Sequence, residues 1–559
     1  MAIDTIKFKR GVKSKLNNLS YGEPAYISDE GELYIGTKSG VEKLTRNKEV
    51  KELSSQLEHI INENEKVLNV ECYENLITND DWSTAIEYCL NNLSNSYSRI
   101  ILPNRTIKTS NISLDSLSNV ILEFQPNTIL KNIDGKQDCF ITISNCSNIT
   151  LNNVKIDGGY SYYRGIAILK GNSNININSI EIRNISPIIQ DNPLNINSVG
   201  ILIANSTNKN INIENIYIDG VKNNNNGVIG DSIGSSRGIL IDVVDKSEVT
   251  EPLKNVRLRN INIKNIYCED ADGIQIIGSN LKQDVEMENI LIDNCQSRGL
   301  KYQNVYGTTL RNVKIKHTDR TFNMRTGISL YSPNNNIDNC EIDVKAIKGV
   351  DMIDYECDYP SVLSNFRITM SNDELIDGSK VYGVDLYNNT SKIFNNLRFN
   401  NFYISTGGGS ICIRGNTKDC QFNNITCKSN KGSFAFNVLS AFTHNNLDIS
   451  NLICDNFGIY AENTVIFNNC LCNGFISRNN KNPYFYLTYI SGFKIGDNFI
   501  SERMPTTGSY TVGDYVKNTN IRGLWDSKLS ATKYVKGWLR ITTGESHVLG
   551  TDWKEDYII

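Results

Sequence analysis

The 559-residue sequence contains no long apolar run, and its charges nearly cancel. No stretch approaches the roughly 20 consecutive apolar residues that span a membrane, so we expect no membrane insertion. The formal net charge of -4 argues against the basic surface that nucleic-acid binding needs. The N-terminal residues Met1–Arg10 lack the apolar segment of a secretory signal, and we therefore expect the chain to be made in a cytoplasm.

Motifs for metals, phosphates and cofactors are missing as well. None of the histidines, at positions 59, 317, 444 and 547, stands at ligand spacing from another or from a cysteine pair. There is no Gly-Lys-Ser/Thr phosphate loop. The sequence therefore predicts neither a metal site nor a cofactor.

Cysteine is well represented, with 14 residues. Several cysteines occupy apolar positions of short strand patterns, where a small hydrophobic side chain fits. These are Cys340, Cys427, Cys454, Cys470 and Cys472. We interpret them as buried thiols, with disulfides as the alternative.

The chain is organised around a repeat in which Asn precedes an apolar-x-apolar triplet. A second repeat, in which Gly or Ser precedes such a triplet, alternates with it at spacings of about 22 to 38 residues. The Asn repeat breaks once, at Ser179. The Asn repeats begin at Asn153, Asn215, Asn260, Asn289, Asn312, Asn339, Asn365, Asn396, Asn424, Asn451 and Asn469. The Gly/Ser repeats begin at Gly165, Gly200, Gly238, Gly273, Gly299, Gly327, Gly349, Gly383, Ser410, Ser433 and Gly458.

Both repeats predict short strands that bury one face, because apolar residues alternate with polar ones. Two strands that recur at a fixed spacing indicate a solenoid. We predict an all-β fold, a single-stranded right-handed parallel β-helix. Asn suits the bend before one strand, because it tolerates the left-handed conformation and its amide can bond to the amide one coil away. An AT-rich genome explains a surplus of Asn and Ile but not their fixed register.

Residues 1–47 form a unit separate from the repeats. The segments Ile6–Gly11 and Gly22–Gly36 alternate in polarity around Asp/Glu-Gly turns, as small β-hairpins do. This stretch resembles the N-terminal module of tail proteins from bacteriophages of Gram-positive hosts, including phage hyaluronidases and tropism determinants. The resemblance implies that residues 1–47 attach the chain to phage tail or baseplate proteins. An unrelated small β domain is the alternative.

Residues 48–70 are a polar, Gly-free segment with an apolar residue at every third or fourth position. Such a short seam does not hold alone, but identical chains joined by a large domain can wind together here. We predict a coiled-coil neck and a homotrimer, with one amphipathic helix packed on its own chain as the alternative. The seam comprises Val50, Leu53, Leu57, Ile60, Asn64 and Val67.

The repeats fall within residues 71–480. Ahead of them, Asp81–Leu90 predicts an amphipathic helix and Arg99–Ile107 an apolar strand interrupted by Pro103. A helix at this place would cover the open first coil. An Asp-x-x-x-Ala-Ile helix followed by such a strand resembles the start of the pectate-lyase-like superfamily. The two resemblances together cover nearly the whole chain and imply a phage tailspike, although neither identifies a particular enzyme.

Residues 497–559 predict a small C-terminal β module. It holds Trp525, Trp538 and Trp553, and it resembles the short C-terminal modules of tailspikes. Exposed tryptophans would stack on sugars, whereas in so small a domain they more often form the core. We expect the core role.

Alignment of the Gly repeats places candidate site residues in two outward columns, with about 4.8 Å between coils. Asp351 and Asp385 stand on adjacent coils two positions after Gly. Carboxylates this close repel, so one can hold a proton near neutral pH and supply acid and base from one residue type. We predict that Asp351 and Asp385 are the catalytic pair and that five residues bind substrate: Gln275, Lys301, Tyr331, Tyr387 and Arg414.

Other interpretations of these acidic residues stay open. Asp351 and Asp385 can instead be solvated aspartates or a pair that shares a lysine. The acidic stretches 269–272 and 354–358 can each bind a cation or form a turn.

Three functions fit the sequence. The first is a phage tailspike that binds, and depolymerises, a host cell-surface polysaccharide; it implies a place in the virion and action at the host cell surface. The second is a non-catalytic receptor-binding fibre. The third, a bacterial polysaccharide lyase, is disfavoured by the phage-like N-terminus. The glycan, the bond cleaved and the choice between hydrolase and lyase are left open.

Overall fold

A computed structural model supplies the structure. It describes residues 9–11, 19–20, 24–27, 32–37, 40–43, 67–93, 98–133, 139–161, 163–186, 197–204, 207–223, 234–242, 253–278, 283–331, 335–353, 360–371, 381–388, 392–429, 436–439, 442–455, 459–461, 465–468, 471–472, 485–486, 499–501, 503–506, 510, 512–518 and 520–559. No helix within these ranges is both long and apolar enough to cross a bilayer.

Two stacks of parallel strands form the body of the chain, which is the predicted right-handed parallel β-helix. The first stack, here called the Asn sheet, consists of Val67–Asn69, Ser98–Ile101, Thr106–Thr109, Ser118–Glu123, Ile129–Asn132, Ser147–Asp157, Ser173–Ile185, Lys209–Lys222, Lys254–Tyr267, Val285–Cys295, Thr309–Lys316, Asn336–Val344, Ser361–Met370, Ile393–Asn395, Leu397–Thr406, Asn416–Ser429, His444–Asp455, Val465–Asn468, Leu471–Cys472 and Phe485–Tyr486.

The second stack, here called the Gly sheet, carries the candidate site. It consists of Ile112–Asp115, Cys139–Ser144, Arg164–Ile168, Asn197–Ala204, Ser235–Asp242, Ala271–Ile277, Arg298–Gln303, Met324–Tyr331, Ala346–Ile353, Tyr382–Tyr387, Gly409–Arg414, Phe436–Val438 and Ile459–Ala461. From Ser147–Asp157 to Ser361–Met370, strands of the two sheets alternate along the chain, so residues on successive coils line up along the axis.

Asparagine in the left-handed conformation bends the strands of the Asn sheet. The predicted bend residues from Asn153 to Asn451 have φ between 54° and 59°. Ser179, the one exception in the sequence pattern, adopts the same conformation with φ of 60°. The role of this column as a bend is therefore confirmed, while Asn469 lies outside the described residues.

Side-chain amides of successive bends hydrogen-bond along the axis. Asn339 Nδ2 donates to Asn312 Oδ1 at 2.8 Å, and Asn312 Nδ2 donates to Asn289 Oδ1 at 2.9 Å. Asn365 departs from the predicted stack, because its amide donates to Asp338 instead of Asn339. These side chains are exposed, not buried as expected, since a left-handed residue at an outward bend points away from the core.

The register nevertheless holds, because strand pairing fixes it independently of the amides. Val313 pairs with Cys340, and Cys340 pairs with Phe366 on the next coil.

Two repeats were aligned wrongly from sequence. Asn401, not Asn396, stands above Asn365, and its amide donates to Asn365 Oδ1 at 2.8 Å. On the Gly sheet, Ile411 pairs with Phe436 and Cys412 with Asn437, two positions later than the sequence alignment through Ser433 predicted. In both cases two nearby tetrapeptides match the pattern equally well, and only the strand pairing distinguishes them.

Asn339→Leu is expected to lower the free energy of unfolding by roughly 2 kcal/mol, because a branched side chain is strained at positive φ and the amide link to Asn312 is lost. Asn339→Gly is the matched control. It also loses the amide but adopts positive φ without strain, so it should recover most of the loss. Denaturant unfolding measures both variants. A leucine variant as stable as the wild type would contradict the assignment of this bend.

Glycine is required at the second bend because the backbone of the next coil lies against it. A β-carbon at Gly238 would lie 2.5 Å from the carbonyl oxygen of Gly273 and 2.7 Å from a methyl carbon of Ile263. Gly238 and Ile239 therefore face the packed interior, and the residues that flank this pair, Arg237 and Leu240, face outward.

The core is a continuous apolar column of inward-facing side chains. Phenylalanines stack between coils, as in Phe366 over Phe402 with ring centroids 4.6 Å apart. Cys340, Cys427 and Cys454 are buried in this core, as predicted. Cys470 lies outside the described residues, and only the backbone of Cys472 is described.

A helix covers the first coil, as predicted. It spans Ser83–Asn91, and its side chains Ala85, Ile86, Cys89 and Leu90 join the apolar core. A 3-10 helix spans Val70–Leu76. Val67 was predicted to end the neck seam but lies in a strand paired with Ser98–Ile101. Its β-branched side chain is buried there, and the rest of the seam lies outside the described residues.

The chain ends are β-structured. The N-terminal strands Lys9–Gly11, Pro24–Ile27, Glu32–Thr37 and Gly40–Lys43 form one sheet. The C-terminal sheet consists of Phe499–Ser501, Tyr515–Asn518, Gly523–Asp526, Ala531–Arg540 and Trp553–Ile558. Trp538 and Trp553 are in its core, as expected, but Trp525 is 69% exposed.

Candidate functional site

The outer side of the Gly sheet gathers polar side chains on both sides of the glycine bend. We call this surface the Gly-bend face; it comprises the residues one position before and two positions after each bend glycine. At each bend the glycine and the residue after it face inward, and the residues before and after this pair face outward. The side chains of the two outward residues point toward each other. Lys348 and Asp351, for example, flank Gly349 and form an ion pair at 2.9 Å.

The predicted column two positions after glycine is present in the structure. Gln275 pairs with Lys301, Lys301 with Ser329, Ser329 with Asp351, and Asp351 with Asp385. Above Asp385 the column continues to Cys412 and then to Asn437, where Ala435 was expected. The structure therefore places the proposed catalytic pair on adjacent coils.

The column one position before glycine was missed from sequence. It holds Arg237, Asp272, Arg298, Thr326, Lys348 and Tyr382 on consecutive coils. The sequence carried a signal for it, because a charged residue directly precedes the glycine in several repeats. Strict alternation placed these residues inside, and the bend at glycine turns them outward.

Lys348 joins the two predicted catalytic carboxylates. Its Nζ lies 2.9 Å from Asp351 Oδ1 and 2.7 Å from Asp385 Oδ2. This geometry is the lysine-sharing pair that the sequence left as an alternative. The ammonium offsets the repulsion between the carboxylates and thereby lets two acids stack on adjacent coils.

Arg414 closes the cluster over Asp385. Its Nε donates to Asp385 Oδ1 at 2.9 Å, and its second nitrogen pairs with Oδ2. The side chain of Asp385 is 0% exposed, whereas that of Arg414 is 30% exposed. Asp385 therefore lies beneath two cations with both oxygens occupied. Arg414 was predicted to bind substrate, and its strongest contact in the structure is with this carboxylate.

Asp351 differs from Asp385 in its electrostatic surroundings. Burial raises the pKa of Asp351 from 3.8 to about 6, the Lys348 ammonium opposes this change, and the charge of Asp385 adds to it. Burial alone would lower the pKa of Lys348, but the two carboxylates raise it above its ordinary value. Asp351 is thus the carboxyl of the cluster that can exchange a proton near neutral pH.

Stability should depend on pH through Asp351. Because its pKa is higher in the folded chain, its contribution to stability is fully present below about pH 4 and is lost as pH rises to about 6. A shift of this size corresponds to roughly 3 kcal/mol. Denaturant unfolding between these pH values should show the decline in the wild type and not in Asp351→Asn. Parallel pH profiles would contradict the assignment.

A second charged cluster occupies the face toward the N-terminal end. Arg237 lies 2.6 Å from Asp270 and 3.2 Å from Asp272, and Arg298 lies 2.8 Å and 3.1 Å from the same carboxylates. Gln275 accepts a hydrogen bond from Arg237. Burial would raise the pKa of Asp270, but its cationic neighbours lower it well below the usual value.

These contacts decide between the two interpretations of the acidic stretch 269–272. Arginines neutralise its carboxylates, and no metal-binding group of His, Cys, Asp and Glu occurs within the described ranges. The stretch 354–358 lies outside those ranges.

The five predicted substrate-binding residues fall into two groups. Gln275 and Lys301 belong to the second cluster, where Lys301 Nζ lies 5.9 Å from the ring centroid of Tyr331. Tyr387 belongs with Arg414, whose guanidinium lies 4.8 Å from the ring centroid. Tyr387 is 43% exposed and offers an aromatic surface beside a cation. Such surfaces suit sugar rings, and the binding role of all five residues stays a prediction.

No protein-family model and no curated protein matches the sequence. Among solved structures, the chain is similar to the ORF18 protein of Geobacillus virus E2, with 11% identity over 98% of this chain and 89% of that one and a TM-score of 0.32.

Two bacterial proteins are similar to a comparable degree. A Family 28 exopolygalacturonase of Yersinia enterocolitica is 13% identical over 80% of this chain and 81% of its own, with a TM-score of 0.34. PfbA, a surface adhesin of Streptococcus pneumoniae, is 11% identical over 75% and 93%, with a TM-score of 0.41. At these values the similarities concern the fold alone.

Proposed function

We propose that the chain is a phage tailspike that binds a polysaccharide of the host cell surface along its Gly-bend face and cleaves it there. The observation that carries this proposal is the cluster of Asp351, Lys348, Asp385 and Arg414, in which one carboxyl has a pKa of about 6. A protonated carboxyl beside exposed aromatic and cationic groups suits a glycan-cleaving site.

Asp351 is the proposed proton donor. In hydrolysis its proton passes to the glycosidic oxygen as the bond to the anomeric carbon breaks. Water supplies the hydroxyl of the new reducing end and the proton that restores Asp351. Asp385 is a positioning residue in this scheme, because both of its oxygens already bind cations. It holds Lys348 beside Asp351, and its predicted role as a second catalytic carboxylate is tested below.

The phage assignment is supported by the sequence of residues 1–47, which resembles tail-attachment modules. It implies that the chain is part of a virion, contacts tail or baseplate proteins through that module and acts at the host surface. A non-catalytic receptor-binding fibre is the second candidate. The full ion pairing of Asp385 favours it, because a binding surface needs no free carboxylate pair.

The tailspike proposal predicts a homotrimer. Light scattering at micromolar concentration should therefore give about three times the monomer mass of 62.9 kDa. The predicted contact is the seam from Val50 to Val67, of which Val67 itself lies in a strand, so a variant with polar replacements at Leu53 and Leu57 should dissociate more readily. A monomer mass for the wild type would end this assignment.

Incubation with purified wall and capsular polysaccharides tests the function. New reducing ends without absorbance from unsaturated uronate indicate hydrolysis, and the appearance of that absorbance indicates elimination. Binding without either product supports the adhesion fibre. If the protein neither binds nor cleaves any surface polysaccharide, the proposed function is wrong.

A further inference from the structure

An unpaired cation and an unpaired hydroxyl lie next to each other between the two charged clusters of the Gly-bend face. Lys301 and Ser329 occupy adjacent coils in the column that continues to Asp351. Successive coils lie about 4.8 Å apart, so Lys301 stands roughly 10 Å from Asp351 along the axis.

Ser329 is a buried polar group without a hydrogen-bond partner. Its side chain is 1% exposed, and its Oγ bonds to no atom of the described chain. A buried hydroxyl without a hydrogen-bond partner destabilises the folded chain until a ligand or solvent atom bonds to it. It belongs to the outward column, so the missing partner must come from the outer side of the sheet.

Lys301 differs from Arg237, Arg298 and Lys348 in its contacts. Arg237 and Arg298 each contact two carboxylates, and Lys348 also contacts two. Lys301 contacts no carboxylate within ion-pair distance among the described residues, and its ammonium lies 5.9 Å from the ring centroid of Tyr331.

The second cluster holds one more cation than carboxylates among the residues named above. Three cations (Arg237, Arg298, Lys301) stand against two carboxylates (Asp270, Asp272), which leaves a net charge of +1. The Asp351 cluster, with two cations and two carboxylates, is neutral when both acids are ionised. An anion at Lys301 would therefore balance the face.

We propose that Lys301 and the hydroxyl of Ser329 form a subsite for an anionic group of the bound glycan, either a carboxylate or a phosphate. The ammonium and the hydroxyl both donate hydrogen bonds to one oxyanion. The subsite lies along the axis from Asp351, so a glycan that follows the column places its anionic unit beside the cleaved bond and not on it. This proposal rests on the proposed function and adds the charge of the substrate.

Binding to paired polysaccharides tests the subsite. The panel contains uronic-acid polymers and their carboxyl-reduced forms, together with phosphate-bearing wall polymers and the same polymers after removal of phosphate. The wild type should bind at least one anionic form about 10-fold or more tightly than its neutral counterpart, which is the contribution of one charge-assisted hydrogen bond. The pair that shows the difference identifies the anion.

Three variants locate the effect. Lys301→Met should remove the preference, Lys301→Arg should keep most of it, and Ser329→Ala should weaken it. Lys314→Met is the control, because Lys314 is an exposed lysine on the Asn sheet that pairs with Glu341. Thermal melting of each variant verifies folding.

Two results overturn the subsite. One is equal binding of anionic and neutral forms, and the other is an unchanged preference in Lys301→Met. Either leaves the proposed function standing, because the glycan is still bound. Failure to bind any member of the panel overturns the subsite and the proposed function together.

Discussion

Asp351→Asn is expected to slow glycan cleavage by roughly 10²- to 10⁴-fold, because an amide has no proton to donate to the glycosidic oxygen. Binding should persist, since Lys301, Tyr387 and Arg414 are unchanged. The rate is measured from new reducing ends or unsaturated products, and the affinity from binding to the same polymer.

Asp343→Asn is the matched control for this substitution. Asp343 is a half-exposed carboxylate on the Asn sheet, paired with Arg320, and its loss should leave cleavage unchanged. Full activity in Asp351→Asn would move the chemistry to another part of the molecule. If the wild type binds glycan but never cleaves it, the adhesion fibre is the better account.

Asp385→Asn is expected to lower the free energy of unfolding by roughly 3 kcal/mol, because it removes a fully buried carboxylate and leaves the partly buried Arg414 without its partner. Lys348 retains its ion pair with Asp351, so the destabilisation comes mainly from Arg414, which loses its carboxylate partner. Denaturant unfolding at pH 7 measures the change. Cleavage should fall together with stability, because the substitution releases the groups that position Lys348 beside Asp351.

Glu341→Gln is the control for the removal of a carboxylate from an ion pair. Its pair with Lys314 is exposed on both sides, at 40% and 43%, and such pairs contribute less than about 1 kcal/mol. Equal stability losses in the two variants would mean that the buried ion pairs of Asp385 contribute no more to stability than an exposed pair does. A fully stable Asp385→Asn variant without activity would return it to the catalytic role predicted from sequence.

The architecture was predictable because one interaction repeats along the whole chain. Asn before an apolar triplet marks a left-handed bend in each coil, and the substitution of Ser179 in the same conformation shows that the position, not the residue, defines the coil. The pattern was ambiguous where two matching tetrapeptides lie close together, at Asn396 and Asn401. There the register depends on which strands hydrogen-bond to each other. That pairing is decided by contacts between coils and not by the local sequence.

The site was only partly predictable. The column of Lys301, Asp351 and Asp385 follows from spacing, since every coil supplies one residue per position. The role of Lys348 did not follow, because strict alternation places it inside and only the bend at Gly349 turns it outward. The burial of Asp385 beneath Arg414 also depends on side-chain packing between coils.

The central claim is that the Gly-bend face holds the glycan. A crystal structure of Asp351→Asn bound to an oligosaccharide from a polymer that the wild type binds tests it most directly. We expect the sugar chain to follow the column, with a glycosidic oxygen beside position 351 and an anionic group on Lys301 and Ser329. Sugar bound elsewhere, for instance on the exposed ring of Trp525, with none on the Gly-bend face, would contradict the account.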